Sequence, residues 1–232
     1  MKIGAVIVAA GRGTRMGGVD KCALMLNGRS LLSYSVETMR AATDAVVVVV
    51  GADRLASWQE YACAEDWQIA ALVAGGIERS DSVRAGFDAL RAAIPDVGLV
   101  AIHDGARPLV TTAQTRACLT AADAYGAAIL AAPVTDTIKR VQDGRVVETL
   151  DRATLWAAQT PQCFRTDLLA AAFVWMADMH NGPFTDEAGM VAAHGHPTHI
   201  VPTDARNLKV TRPGDLAVAG ALLSERMEAG TG

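Results

Sequence analysis

The chain has 232 residues, 51% of them hydrophobic and 20% charged, with a formal net charge of −4. That composition supplies ample core and excludes a disordered chain. The mild acidity excludes binding to nucleic acid or to an anionic membrane by bulk charge, so any anion must be met by a local group of cations.

The first ten residues carry one lysine and a short apolar run that meets Gly11, too short for a signal peptide, and residues 3–9 read as a strand buried on both faces. Residues 31–42 have helical spacing with Ser30 as N-cap. Five consecutive valines make 45–50 a second buried strand, followed by a helix over 54–64 and a strand over 69–73. Ser80 or Ser82 opens a helix through Ala93, and 97–102 is another strand. A helix over 113–125 and a strand over 127–132 continue the alternation. The fold class is therefore α/β, a doubly wound, mostly parallel sheet. Such sheets bind ligands at the carboxyl ends of their strands, where loops 10–21, 74–82 and 103–108 carry the chemistry.

After Pro133 the pattern changes. Segments 137–141 and 145–150 are short and polar, and Asp143-Gly144 between them is a hairpin turn signal. The hairpin should project as an arm, about 134–153, from one domain spanning 1–232, and projecting arms pack on something, often a second subunit. Helices near 166–179 and 186–193 and a late helix from about Pro213 complete the chain.

Segment 9–21, AAGRGTRMGGVDK, combines glycines that let backbone N–H groups approach an anion with Arg15 and Lys21. It is neither a dinucleotide fingerprint, because Met16 stands where glycine is needed, nor a P-loop, because Val19 stands where lysine is needed. A triphosphate site and a simple tight turn both remain open on these residues. In 103–108, HDGARP, Asp104 could hold Mg²⁺ against phosphate and Arg107 a second anion, or the two could form a structural ion pair. His194, His196 and His199 lie beside Gly195 and Pro197 without helical register and read as surface residues. The four cysteines form no CxxC pair and the four tryptophans are isolated packing residues, which with the absence of a long apolar stretch points to a cytoplasmic protein with reduced thiols.

Taken in order, segments 9–21, 75–83 (GGIERSDSV), 103–108, 136–140 (DTIKR), 160–162 (TPQ), 185–188 (TDEA) and 207–213 (NLKVTRP) resemble those of the 2-C-methyl-D-erythritol 4-phosphate cytidylyltransferases of the non-mevalonate isoprenoid pathway. The resemblance implies a Rossmann-like nucleotidyltransferase fold and transfer of CMP from CTP, with Mg²⁺, to that polyol phosphate, releasing pyrophosphate. It implies that Ala9, Ala10 and Gly11 line the nucleotide site and that Gly76 and Ser82 read cytosine. Arg15, Lys21, Arg152 and Lys209 would be catalytic, and Asp104 would sit by metal and substrate. Arg107, Thr137, Thr160 and Thr185 would surround the acceptor. It also implies a homodimer in which Thr137 and Arg152 on the arm serve the neighbouring subunit. One departure stands out: the family usually carries proline before the lysine, where this chain has Asp20, and Arg-Met-Gly-Gly-Val-Asp-Lys is similar to molybdenum cofactor guanylyltransferases. That guanylyl transfer, cytidylyl transfer to another polyol phosphate such as ribitol 5-phosphate, and a nucleotide-binding protein without catalysis are the alternatives.

Overall fold

The computed structural model describes residues 1–11, 20–178 and 184–228. Strand β1 (Lys2–Ala9) is followed by a small hairpin of β2 (Met25–Leu26) and β3 (Arg29–Ser30). Then come α1 (Leu31–Ala42), β4 (Ala45–Val50), α2 (Leu55–Ala64), β5 (Ala71–Ala74), α3 (Arg79–Ala93), β6 (Val97–Asp104), α4 (Thr112–Tyr125) and β7 (Ala127–Pro133). The exposed hairpin β8 (Lys139–Gln142) and β9 (Arg145–Thr149) precedes β10 (Trp156–Arg165), α5 (Thr166–Asp178), α6 (Glu187–Ala193), β11 (His199–Pro202) and α7 (Pro213–Glu228).

Seven strands form one sheet in the order β11-β7-β10-β6-β1-β4-β5. Every pairing is parallel except those of β10, which runs antiparallel between β6 and β7. Strand β10 was not expected. Its segment contains Pro161, which ordinarily argues against a central strand. Here the proline falls at a break in the β10–β7 register between Ala158 and Gln162, where the ladder needs no donor.

Valine-rich β1 and β4 bury both faces. Ile7, Val46, Val48 and Val50 pack with Leu32, Val36 and Met39 of α1, Trp58 of α2 and Leu119 of α4. Val6, Val47 and Val49 pack instead with Val83, Phe87 and Leu90 of α3 and with Leu169 and Phe173 of α5. Successive residues of one strand thus feed opposite helical layers, as a period of two requires. Helix α7 joins Leu26, Leu31, Leu109 and Val210 in a smaller cluster through Ala219 and Leu223. Among the described residues no helix is long and apolar enough to cross a membrane.

The chain leaves β1 through α1 and α2 to build β4 and β5 on one side, then returns through α3 to place β6 on the other. The strand order therefore reverses beside β1, and a crevice opens outside the carboxyl ends of β1 and β6.

One expected helix start is corrected. Helix α3 begins at Arg79 with Glu78, not Ser80 or Ser82, as its cap, in a reciprocal capping box with Asp81. Helix α6 is capped by Asp186, which accepts from the Gly189 N–H at 2.9 Å, so exposed Thr185 precedes the cap. The hairpin turns at Asp143 (φ 50°) and Gly144 (φ 75°), the left-handed pair that an Asp-Gly turn supplies. It forms a sheet of its own, closed by an Arg140–Glu148 ion pair at 2.8 Å.

Candidate active site

A cavity of about 880 Å³ occupies the crevice. Its wall is built from the ends of β1 and β6, the turn after β4, the turn into α3 and the segment before α7. Of the residues singled out in the sequence, Ala9, Ala10, Gly11, Lys21, Gly76, Ser82, Asp104 and Lys209 all line it. Arg15 lies outside the described residues.

One end of the cavity is a close approach of small residues. A Cβ on Gly75 would stand 2.5 Å from the Ala10 Cβ and 2.6 Å from the Ser82 Oγ, and one on Gly76 would stand 2.3 Å from the Asp81 Cβ. Only glycine lets the turn before α3 lie against the end of β1 here. Ser82 is buried, its hydroxyl donating to the Glu78 carbonyl at 3.2 Å.

The other end is charged. Asp104 ends β6, and Lys209 Nζ donates to its Oδ2 at 2.8 Å. Arg79 and Arg107 approach the same carboxylate at 3.6 Å each. Burial alone would raise the Asp104 carboxyl, but Lys209, Arg79 and Arg107 outweigh it and hold the group well below the usual carboxylate range. Three cations about one carboxylate leave a net positive end, suited to phosphate. Lys209 is carried there because the Val210 N–H donates to the Ala106 carbonyl at 2.8 Å, stitching its segment to the loop after β6.

Beneath the surface, the Asp104 N–H donates to Thr160 Oγ1 at 3.0 Å, and that hydroxyl donates to His103 Nδ1 at 3.0 Å. His103 Nε2–H then donates to the Arg107 carbonyl at 3.2 Å. The Arg107 carbonyl can only accept, so Nε2 carries a proton, and in a neutral ring Nδ1 is left to accept from Thr160. Burial agrees, pushing the His103 pKa down to about 4. Thr160, expected around the acceptor, thus braces the backbone of Asp104 from below.

The Arg107 guanidinium donates to the Asn207 carbonyl at 2.7 Å and the Ala158 carbonyl at 3.4 Å, and its side chain is 12% exposed. It ties three loops together beside Asp104, in the ion-pair arrangement that was the second reading of this motif. Arg79, not singled out in the sequence, faces the cavity in its place. Both oxygens of buried Glu187 accept from Arg79 NH1, at 2.7 and 2.9 Å, which couples α6 to the site. Gln162 reinforces that link by donating to Asp186 and accepting from the Ala188 N–H. Arg79 and Glu187 do sit inside the quoted segments 75–83 and 185–188, and that was the available signal. Thr137 and Arg152 do not line the cavity: both are exposed at the base of the arm, where Arg152 donates to the Thr135 carbonyl at 2.7 Å. Cys22 does line it, but burial, aided by Asp20, pushes its thiol up to about 12, which makes it wall and not nucleophile.

Comparison with known proteins bears directly on this geometry. The family model described as IspD: 2-C-methyl-D-erythritol 4-phosphate cytidylyltransferase matches residues 3–225. The chain belongs to that family. A relative from Pelotomaculum thermopropionicum, named 2-C-methyl-D-erythritol 4-phosphate cytidylyltransferase, is 42% identical across 97% of this chain and 95% of its own length. The crystal structure of 4-diphosphocytidyl-2C-methyl-D-erythritol synthase from Anaerococcus prevotii superposes with a TM-score of 0.82 at 25% identity, covering 96% of each chain. The corresponding cytidylyltransferase structure from Thermus thermophilus gives 0.79 at 28% identity, covering 97% of this chain and all of that one. Family membership decides between the enzymatic alternatives in favour of cytidylyl transfer and makes the chain a nucleotidyltransferase.

Proposed function

We propose that the chain transfers CMP from CTP to 2-C-methyl-D-erythritol 4-phosphate and releases pyrophosphate. The observation that carries this reading is the division of one cavity into a tight, small-residue end and a cationic end, in a chain of this family. The pyrimidine would lie against Ala9, Ala10, Gly11 and Gly76, with Ser82 beside it. The triphosphate would run toward Lys21, and the acceptor phosphate would meet Lys209.

The acceptor phosphate is already a nucleophile at neutral pH, so no general base is needed. One of its oxygens attacks the α-phosphorus, and the bond from that phosphorus to the β-phosphate oxygen breaks. Repulsion between two polyanions is the main obstacle, and Lys21 and Lys209 offset it. Arg15, in the same sequence segment 9–21 as Lys21, would join them. Asp104 holds Lys209 in place by its 2.8 Å bond.

Asp53, Glu78 and Asp104 line the cavity, and Asp104 is the buried one of the three. Among the described residues no group of three His, Cys, Asp or Glu could cage a metal, but Asp104 offers a single carboxylate at the cavity. A phosphate-borne Mg²⁺ ordinarily takes one or two protein carboxylates, so Asp104 would hold it. When bound it would add charge neutralisation on the leaving pyrophosphate.

Thr137 and Arg152 stand away from the cavity of their own chain, and the arm exposes Val141, Val146 and Val147 by more than half. Both features support a homodimer whose arm reaches a second subunit's site. Thr185, exposed before α6, would contact the acceptor. Four unpaired cysteines favour a cytoplasmic setting.

The test is phosphorus NMR of the chain with CTP, Mg²⁺ and methylerythritol phosphate, beside parallel reactions with ribitol 5-phosphate and with GTP. The expected result is a new cytidine diphosphoryl product and stoichiometric pyrophosphate in the first reaction alone. Faster turnover of ribitol 5-phosphate, or of GTP, would overturn the acceptor or the nucleotide assignment respectively.

A further inference from the structure

Asp20 immediately precedes Lys21, so a carboxylate stands at the triphosphate end of the site. Left alone it would oppose a bound polyanion. Its surroundings deal with it in three ways. Oδ1 accepts from the Cys22 N–H at 3.0 Å, capping the short turn Lys21–Ala23. Oδ2 accepts from Trp58 Nε1–H at 3.0 Å and lies 2.8 Å from the Arg54 guanidinium. The pair is mostly shielded, with side-chain exposures of 20% for Arg54 and 13% for Asp20.

The support behind it is rigid. Trp58 meets Tyr61 edge-on at 5.5 Å and Trp67 at 5.7 Å between ring centroids. Tyr61 in turn accepts from the Ser30 N–H at 3.2 Å. Helix α2 therefore grips the segment that carries Lys21 at both ends, through residue 20 and through residue 30. Asp20 has φ −67°, the angle a proline ring would fix, and here side-chain bonds hold it. Gly51, Ala52 and Asp53, the turn leading into Arg54, line the same cavity as Lys21.

We infer that Asp20, Arg54 and Trp58 are positioning residues for Lys21: Asp20 shapes the turn, Trp58 fixes its direction, and Arg54 cancels the charge that Asp20 would otherwise present to the triphosphate. The inference rests on the nucleotide reading of the cavity. It differs from a merely structural ion pair in one consequence: the defect caused by losing Arg54 comes from the exposed charge of Asp20, so removing that charge as well should repair it.

The experiment is CTP binding by titration calorimetry in Mg²⁺, with turnover and melting temperature, for the unsubstituted chain, Arg54→Gln, Asp20→Asn and the double variant. Arg54→Gln should weaken CTP binding about tenfold, the scale of one poorly screened unit charge nearby. The double variant should return to within about threefold of the unsubstituted chain. A double variant as weak as Arg54→Gln, or an Arg54→Gln that binds CTP normally, would overturn the inference. Should Arg54→Gln not fold, Trp58→Phe, which keeps a ring and removes the donor, takes its place. A fall in kcat of about threefold or more supports the device, and unchanged kcat and KM overturn it. Failure of the unsubstituted chain to bind CTP would show instead that the nucleotide reading is wrong.

Discussion

His103 and Asp104 are neighbours in sequence and both buried, yet one is held neutral and the other charged. Burial keeps the imidazole neutral, whereas three cations overcome the same burial for the carboxylate. The His103 pKa falls from 6.5 to about 4 on folding. Between those values the unfolded chain binds more protons, so the contribution is full above pH 6.5 and lost as pH falls toward 4. The ceiling of that contribution is about 3 kcal/mol. Urea denaturation at pH 7.5 and 5.0 should show the chain losing more stability than a His103→Gln variant does, and parallel losses would contradict it. The motif containing these residues was legible in the sequence, as were eight of the residues that line the cavity. The work of Arg107 was not, because its partners are backbone carbonyls 51 and 100 residues away. Side-chain chemistry offered an anion or an ion pair with Asp104; the fold adds Asn207 and Ala158 as partners of the guanidinium.

Among the elements, α3 contributes its first turn to the cavity wall. Its capping box orders Glu78 and Asp81, its first residue is Arg79, and Gly75 before it lies against Ala10 at the end of β1. Gly76→Ala should force Asp81 out of that box, costing about 1–3 kcal/mol and raising KM for CTP. Denaturation and steady-state kinetics check both, and an unchanged KM would detach Gly76 from the nucleotide. Glu187→Gln should destabilise the protein by about 1–3 kcal/mol, because Arg79 keeps Asp104 but loses the charge of its nearer partner; unchanged stability would contradict that weight. Serines drew the expected start of α3 too late, since Ser is a commoner cap than Glu. Pro161 concealed β10 for a comparable reason: a local rule was overridden by a register break that only the assembled sheet reveals.

At the scale of the whole molecule, the alternation of valine-rich strands with amphipathic helices made the parallel sheet and its crevice readable, because period and burial are written locally. The Asp143-Gly144 hairpin was readable for the same reason. What the arm packs against is not local, and the proposed dimer gives it a role. Val141→Asp with Val146→Asp should convert a dimer to a monomer in sedimentation and lower turnover by removing Thr137 and Arg152 from the second subunit's site. A dimer that persists with full turnover would contradict that arrangement.

All of this depends on cations at one end of the crevice overcoming the repulsion between two phosphorylated ligands. The most direct measurement is pyrophosphate release from CTP and methylerythritol phosphate by Lys21→Ala and Lys209→Ala variants, with melting temperatures alongside. The expected result is a loss in kcat of about a hundredfold or more in each, with melting within a few degrees of the unsubstituted chain. Turnover that survives both substitutions intact would contradict the account.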